Sequence, residues 1–281
     1  MTRPARCLRV AALVAVLLLV SPARAAEGDG GPDARPAAAA TFQLRAALDA
    51  YDRAMSGALE ADEAAAELRR AADAFEALLA AGYDSAGLQY NLGNTYYRLG
   101  DYGRAVLAYR RGLRAAPADP RLAHHLALAR RHVEPQWPPT GERRLLHQLF
   151  FWHFSTALPT RLAWAMGLSV AGWTLLALRW RWRRTALAVG GVLLIVHGLG
   201  AGVSVAWQVH DERQRPPAVI VTGAPELRLG RGAAFAAALD TPLGAGTELR
   251  IVQERAGWLE VELPNGQRGW LADEGVARVL R

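Results

Sequence analysis

Residues 86–118 decide the fold of the first folded region, and they read AGLQYNLGNTYYRLGDYGRAVLAYRRGLRAAPA. Apolar and small residues recur at helical spacing on both sides of Gly100-Asp101, where the pattern breaks, and Pro117 ends the second half. The stretch therefore predicts two helices joined by a tight turn. Small residues at Gly93, Ala105 and Gly112 let the two helices approach closely, and larger residues fill the space beside them.

The same residues resemble a tetratricopeptide repeat, a helix pair that recurs with a period of about 34 residues. Two positions depart mildly from the family pattern, since Gln89 replaces the usual Trp and Gly112 replaces the commoner Ala. The residues that carry the resemblance are Leu92, Gly93, Tyr96, Ala105, Tyr109 and Pro117.

Shifting this repeat by one period extends the helical region in both directions. The shift predicts a divergent first repeat with helices at residues 42–55 and 64–81, and a cap helix at residues 121–133. We therefore assign residues 41–134 to a tetratricopeptide domain. The resemblance implies an array that binds peptides or proteins in a groove rather than one that catalyses. The groove residues it implies are Tyr90, Asn94, Tyr97, Arg98, His124 and Leu128.

Composition and charge exclude several classes of function. The 281 residues carry a formal net charge of +7, and they include no lysine and one cysteine, Cys7. Phosphate loops, lysine Schiff bases, thiolate zinc sites and internal disulfides are therefore excluded, and HExxH and GxSxG motifs are absent. His124 and His125 would bind a metal only with ligands from elsewhere, so we favour a solvated helix face. We expect no enzymatic activity, no cofactor and no resident metal.

The N-terminus predicts a signal peptide over residues 1–25. Arg3, Arg6 and Arg9 precede an apolar run at residues 10–20, and Ala23-Arg24-Ala25 supplies small residues for cleavage. An uncleaved anchor is the alternative, but the run is shorter than the roughly 20 residues that span a bilayer. Residues 26–40, rich in Gly, Pro and Ala, predict a flexible linker.

Two long apolar runs predict a transmembrane hairpin at residues 162–180 and 185–207. The arginine-rich loop at residues 181–184 is cytoplasmic by the positive-inside rule, so both flanking domains face the periplasm. Residues 135–161 predict a Pro-rich linker and an interfacial aromatic segment, and residues 208–217 a polar linker. The surplus positive charge belongs to the signal and to arginines around the spans, which removes nucleic acid as a partner.

Small residues in the spans recur every four positions, which permits close helix packing. They are Ala163, Gly167 and Ala171, Ala186 with Gly190, and Gly198 with Gly202. We favour packing of the two spans on each other over packing against another membrane protein. For His197, the ionisable group deep in the second span, we favour a neutral imidazole between the helices, bonded to a carbonyl or to Ser169, over a functional role.

Residues 218–281 change to the period of β-strands. Strands are predicted at residues 219–221, 227–229, 247–252, 258–263 and 268–271, with a hairpin turn at Pro264-Asn265-Gly266. The Gly-Trp pairs at residues 257–258 and 269–270 resemble those of bacterial SH3-type domains, which implies a small β-barrel. Trp258 and Trp270 either form a ligand surface or, as we favour, pack the barrel. The fold class is thus a helical tetratricopeptide solenoid, a two-helix transmembrane hairpin and an SH3-like barrel.

This order of segments resembles the BatE-type proteins of bacterial aerotolerance (Bat) operons. The resemblance implies a membrane-anchored periplasmic adaptor that works beside von Willebrand factor A-domain membrane proteins and a MoxR-type ATPase. It implies no catalytic residue. We favour a protein-interaction scaffold, linked to oxidative or envelope stress tolerance, over a sensor or targeting protein that binds peptidoglycan through the SH3-like domain.

Overall fold

The computed structural model describes residues 34–280. The predicted signal peptide and residues 26–33 lie outside the described residues. The described residues from Leu44 onward belong to one compact unit. The helices are α1 (Ala34–Met55), α2 (Ala61–Ala80), α3 (Ala86–Arg98), α4 (Tyr102–Ala115), α5 (Pro120–Arg130), α6 (Gly141–Leu149), α7 (Phe151–Ser155), α8 (Leu158–Trp182) and α9 (Thr185–Gln214). The strands are β1 (Pro217–Ile220), β2 (Glu248–Arg255), β3 (Trp258–Glu262), β4 (Arg268–Ala272) and β5 (Val276–Arg278).

The predicted linker over residues 26–40 is wrong for its described part. Helix α1 begins at Ala34, because the alanines from Ala37 to Ala40 are the strongest helix formers and nothing in them breaks the helix. The second helix also begins earlier than predicted, at Ala61, with Asp62 and Glu63 in its first turn. Acidic side chains there favour helix initiation because they oppose the positive end of the helix dipole.

Helices α3, α4 and α5 form the predicted repeat and cap. Each begins at a side-chain cap, since Ser85, Asp101 and Asp119 accept backbone N–H bonds from the first turns of α3, α4 and α5. The core contains Phe75, Leu92, Tyr96, Ala105, Tyr109 and Leu122, all buried. The departure from the family pattern at residue 112 has a packing reason. A Cβ added at Gly112 would lie 2.8 Å from Leu122 and 3.3 Å from Gln89.

Helices α8 and α9 form a hairpin, and both are long and apolar enough to cross a membrane. Most of their apolar side chains are exposed, unlike those of a soluble core helix. The turn between them is shorter than predicted, since only Arg183 and Arg184 are non-helical. The predicted linker at residues 208–217 is wrong for residues 208–214, because α9 continues until Pro216 and Pro217 end it.

Of the predicted small residues, Gly198 and Gly190 lie at the contact between the two helices, and the unpredicted Gly172 and Gly191 meet there as well. A Cβ at Gly172 would lie 2.7 Å from the Gly191 carbonyl oxygen, and one at Gly198 would lie 2.6 Å from Ser169 Oγ. A Cβ added at Gly167 or Gly202 would meet nothing within 4 Å, and Ala163 and Ala171 are exposed. The four-residue spacing identified rows of small residues, but the way in which the two helices cross decides which row lies at their contact.

His197 also differs from its predicted placement. The imidazole is exposed on the outside of the hairpin rather than between the helices, and its Nδ1 lies 2.8 Å from the Leu193 carbonyl oxygen of its own helix. Ser169 instead donates to the Ala165 carbonyl oxygen at 2.7 Å. A bond to a backbone carbonyl is thus present, without the interhelical contact.

The C-terminal domain is an open five-stranded antiparallel sheet with strand order β4-β3-β2-β1-β5, not the predicted closed barrel. Residues 227–229 are not a full strand, because Arg228 makes isolated bridges to Ala237 and Trp270 alone. The edge strands β4 and β5 therefore stay unpaired with each other. The predicted hairpin turn joins β3 and β4, with Gly266 in the left-handed region at φ +88°. The core beneath the sheet includes Ile220, Leu227, Leu249, Leu259, Val261 and Leu271.

Candidate functional site

The predicted groove residues of α3 lie along one side of that helix, and α5 contacts the same side. Tyr90, Asn94, Tyr97 and Arg98 follow the spacing of one helical face. We call these four residues, with His124 and Leu128 of α5, the groove face. Tyr90, Asn94 and Tyr97 make side-chain hydrogen bonds within the protein and form a packed floor, whereas Arg98, His124 and Leu128 form the rim.

Tyr90 belongs to the floor. Its hydroxyl lies 3.2 Å from His125 Nε2, and the two rings meet edge to face at 5.1 Å between centroids. The Arg121 guanidinium lies 5.4 Å from the Tyr90 ring centroid, a cation–π contact. Burial, with smaller contributions from His124 and Arg98, lowers the pKa of His125 from its ordinary value of 6.5. His125 is therefore a neutral packing partner of Tyr90 rather than part of a solvated helix face.

Asn94 also belongs to the floor, because its side-chain oxygen accepts a hydrogen bond of 2.7 Å from the Tyr109 hydroxyl. Tyr109 is fully buried, and burial raises the pKa of its hydroxyl well above the ordinary 10.0. The hydroxyl therefore stays protonated and donates to Asn94. This hydrogen bond joins α3 to α4. It also occupies the Asn94 side-chain oxygen, an acceptor that would otherwise be available to a bound peptide.

Tyr97 packs in a ring cluster at the end of the groove face nearest the sheet. Its hydroxyl lies 3.3 Å from His132 Nε2, and Tyr102 stacks on His132 with ring centroids 4.1 Å apart. Beside the cluster lies a cavity of about 300 Å³, lined by Asp101, Tyr102, His132, Glu134 and the backbone of residues 244–245.

The rim consists of Arg98 and His124, which are exposed, and Leu128, which is half-buried. Among the described residues, Arg98 and His124 have no ion-pair partner. The rim therefore offers a cation, an imidazole and an apolar side chain to a partner, whereas the three floor residues are already hydrogen-bonded. The His124 ring also meets the His125 ring edge to face, with the centroids 5.6 Å apart.

Sequence reasoning missed Tyr102 and His132 and misjudged His125. The pairs Tyr90–His125 and Tyr97–His132 are each separated by 35 residues, close to the repeat period. Residues one period apart in a helical array lie side by side, so aromatic and histidine residues at that spacing were a usable signal.

The sheet domain docks on α4 and α5 through a shared carboxylate. Glu248 accepts from Arg110 at 2.8 Å and from Arg130 at 2.6 Å. Burial raises the pKa of Glu248, but the two arginines outweigh it and hold the pKa below the ordinary 4.5. Arg111 donates to the Arg278 carbonyl oxygen at 2.8 Å. These contacts join the array and the sheet side by side.

A chain of polar side chains connects α4 with the hairpin through the end of α9. Arg114 pairs with Glu212 at 2.7 Å, Glu212 accepts from Gln208 at 2.8 Å, and Gln208 accepts from Arg161 of α8. Arg161 is 4% exposed and also donates to Ser204 Oγ at 2.9 Å. Asp211 pairs with Arg250 of β2. The last turns of α9 are thus held by the array and by the sheet.

Trp258 and Trp270 lie outside the core that we expected them to fill. Both alternate with the core residues Leu259, Val261 and Leu271 along β3 and β4, so they lie on the opposite face of the sheet, half-buried. Glu260 pairs with Trp270 across the strands. The domain fills its core with aliphatic side chains instead.

In the part of the chain that the structure describes, no three His, Cys, Asp or Glu residues lie close enough together to hold a metal ion. Residues 86–130 match the tetratricopeptide repeat family. Neither the curated proteins nor the solved structures contain a match to this chain. Repeats of this family are non-enzymatic and generally mediate protein–protein interactions, which suggests such a role for this helical segment.

Proposed function

We propose that this protein is a membrane-anchored scaffold whose array binds a partner protein through the groove face. The tetratricopeptide match over α3, α4 and α5, together with the exposure of Arg98 and His124 on the rim, carries the proposal. Protein binding by such arrays depends on side chains presented along stacked helices, and the rim presents them.

The location we propose is a bacterial inner membrane, crossed by α8 and α9. Their length, their apolar composition and their exposed apolar side chains support this location. The arginines at the hairpin turn, Arg181, Arg183 and Arg184, favour a cytoplasmic turn and hence periplasmic domains. The partner class follows from the resemblance to BatE-type proteins, namely von Willebrand factor A-domain membrane proteins of a Bat-type complex.

The test uses the full chain, because the array, the sheet and α9 are bound to one another. We expect affinity purification from solubilised membranes to recover an A-domain protein, identified by mass spectrometry. Arg98→Ala with His124→Ala should abolish recovery without unfolding the array, since neither side chain has an ion pair among the described residues. Arg69→Ala, an exposed arginine on α2, is the matched control and should leave recovery unchanged.

Recovery that survives the double substitution would contradict the groove face as the binding surface. Substitution of Asn94 or Tyr97 is less informative. Those side chains bond to Tyr109 and lie against His132, so their loss would also disturb packing.

A second candidate function is peptidoglycan binding by an SH3-like sheet domain. The half-exposed Trp258 and Trp270 on the face opposite the core favour it, because aromatic faces are common in ligand sites. Cosedimentation of the detergent-solubilised full chain with purified peptidoglycan, lost in Trp258→Ala, would support this candidate. Equal cosedimentation of both proteins, or none, would exclude Trp258 from such a site.

A further inference from the structure

The segment just before α8 has an apolar surface that no described element covers. Helix α6 and the residues that follow it expose large apolar side chains, with Leu149 at 62% and Phe151 at 66%. The other members are Leu145, Leu146, Phe150 and Trp152. We call these six residues the interfacial face. An exposed patch of this kind marks an interaction site rather than ordinary surface.

Hydrogen bonds fix the depth of this segment along the hairpin. His153 Nδ1 of α7 lies 2.6 Å from Ser204 Oγ of α9, and Arg161 contacts both groups at 2.9 Å. Ser204 is three residues from Trp207, which ends the apolar run, so the two lie about 4.5 Å apart along the helix axis. Helix α7 therefore lies level with the end of the apolar part of α9.

The sequence of α6 is amphipathic and basic. It reads GERRLLHQL, with two arginines, one histidine and one acid. Leu145, Leu146 and Leu149 project from one side of the helix, whereas Arg144 and Gln148 lie on the other and are exposed. An apolar side opposite a basic side is typical of helices that lie in a membrane interface, and the basic side chains favour anionic lipid.

We propose that α6 and α7 form an in-plane membrane-binding surface, which inserts the interfacial face between lipid headgroups and prefers anionic phospholipid. The proposal rests on the membrane location proposed above, and it adds a second lipid contact whose occupant is the bilayer itself. The interfacial face lies at the level where the apolar exterior of α8 and α9 ends, and the exposed Arg144 on the other side of α6 complements anionic headgroups. A protein partner or a second copy would instead cover this face with protein.

The test is a depth measurement with spin labels on the full chain in nanodiscs. Cys7→Ser provides a cysteine-free background, to which Leu149→Cys or its neighbour Gln148→Cys is added. We expect the label at Leu149 to collide with oxygen and to be protected from a water-soluble nickel chelate. The label at Gln148, on the polar side, should collide freely with nickel. Equal nickel accessibility at the two sites would overturn the proposal, and so would protection of Leu149 from both reagents, because protein and not lipid would then cover it.

A label at Val196→Cys separates this proposal from the membrane location. Val196 is an exposed residue of α9, 56% accessible, and it should behave as a lipid-facing site. If the Val196 label is lipid-facing while the Leu149 label is aqueous, the interfacial surface alone is wrong. If both are aqueous, the spanning hairpin is wrong as well.

Lipid composition tests the anionic preference. We compare nanodiscs of phosphatidylcholine with nanodiscs of phosphatidylcholine and phosphatidylglycerol in equal parts. The ratio of lipid-buried to aqueous label at Leu149 should be higher in the anionic bilayer. Arg144→Gln should lower this increase in the ratio about fivefold, which is the effect of one arginine at such a surface. An unchanged ratio in the two bilayers would overturn the preference.

Discussion

The helix pair α3–α4 and the hairpin α8–α9 are both antiparallel pairs with glycines at their contact, yet they pack by different means. In α3–α4, Gly93 lies against the ring of Tyr109, where an added Cβ would lie 2.5 Å from a ring carbon. In α8–α9, glycine faces glycine, and an added Cβ at Gly172 would lie 2.7 Å from a backbone oxygen. The first pair buries a large side chain, and the second brings two backbones together.

The difference follows from what surrounds each pair. In water, burial of an aromatic ring contributes a large hydrophobic free energy, so a glycine that admits the ring stabilises the pair. In the membrane that we propose around α8 and α9, burial of a side chain against another helix gains little, because lipid is as apolar as the side chain. Close approach of the two backbones supplies the attraction instead.

Gly93→Val should cause the largest loss of stability, about 3 kcal/mol, the upper end for overpacking. Tyr109 is fully buried and bonded to Asn94, so its ring cannot move away from the new side chain. Denaturant unfolding of the full chain in detergent, followed by a probe on the array, measures the loss. Gly87→Ala in the same helix has open space around it and should be neutral or slightly stabilising. Similar losses in the two variants would refute the ring contact.

Gly172→Val should destabilise the hairpin by about 2 kcal/mol, because the added carbons meet backbone and Ile195. Unfolding of the chain in mixed lipid and detergent micelles, titrated with a denaturing detergent, measures this. Gly167→Val is the matched control, since Gly167 lies in the same helix with nothing within 4 Å. A larger effect at Gly167 would mean that the stripe predicted from the sequence is the contact after all.

Glu248→Gln removes a carboxylate that the sheet shares with two helices of the array. Among the described residues, no such ion pair joins α8 to α9. The loss should be about 1.5 kcal/mol, the lower end for charged hydrogen bonds, because Arg110 and Arg130 are 39% and 49% exposed. Glu254→Gln, on the same strand and in an exposed pair with Arg278, is the control. It should cost under about 1 kcal/mol.

The same carboxylate predicts a dependence on pH. Since the folded pKa of Glu248 lies below the ordinary 4.5, its contribution is fully present above that pH. It is lost as the pH falls through the lowered folded value. The free energy difference between the native chain and Glu248→Gln should therefore be constant near neutrality and shrink in acid. A difference that grew in acid would contradict this linkage.

Tyr109→Phe should have the smallest effect, about 1 kcal/mol, because it removes one hydrogen bond to Asn94 and keeps the buried ring. Tyr102→Phe keeps the ring stacked on His132 and should stay within about 0.5 kcal/mol of the native chain. Urea unfolding distinguishes the two. An equal loss in both would contradict a specific contribution of the Tyr109–Asn94 hydrogen bond.

Periodic patterns predicted the elements well where one local rule acts. The α3–α4 pair, the two apolar helices and the β3–β4 hairpin all follow from repeat spacing, length or turn residues. Helix boundaries were less predictable. Helix α9 continues through polar residues, among which no capping motif ends it. The closed barrel was wrong because residues 227–229 make isolated bridges in place of a strand, which depends on contacts distant in sequence.

For the candidate site, the sequence predicted six groove residues, which stay a prediction, but not the contacts that they make. The division into floor and rim depends on His125 and Tyr109, which approach α3 from other helices, and on His132, in the turn that follows α5. The residue pattern of one helix does not show hydrogen bonds to other elements. The sequence therefore did not distinguish Asn94 and Tyr97 from Arg98 as residues that a partner could contact.

Residue types at short or fixed spacing are enough to predict the repeat and the apolar hairpin and to exclude lysine and thiol chemistry. Which glycines meet, and which face of the sheet holds the tryptophans, depends on the tertiary structure. It also decided that Glu248 and Glu212 bind the array to the sheet and to α9. Those facts arise where distant segments come within a few ångströms of each other, and spacing along the chain does not encode that approach.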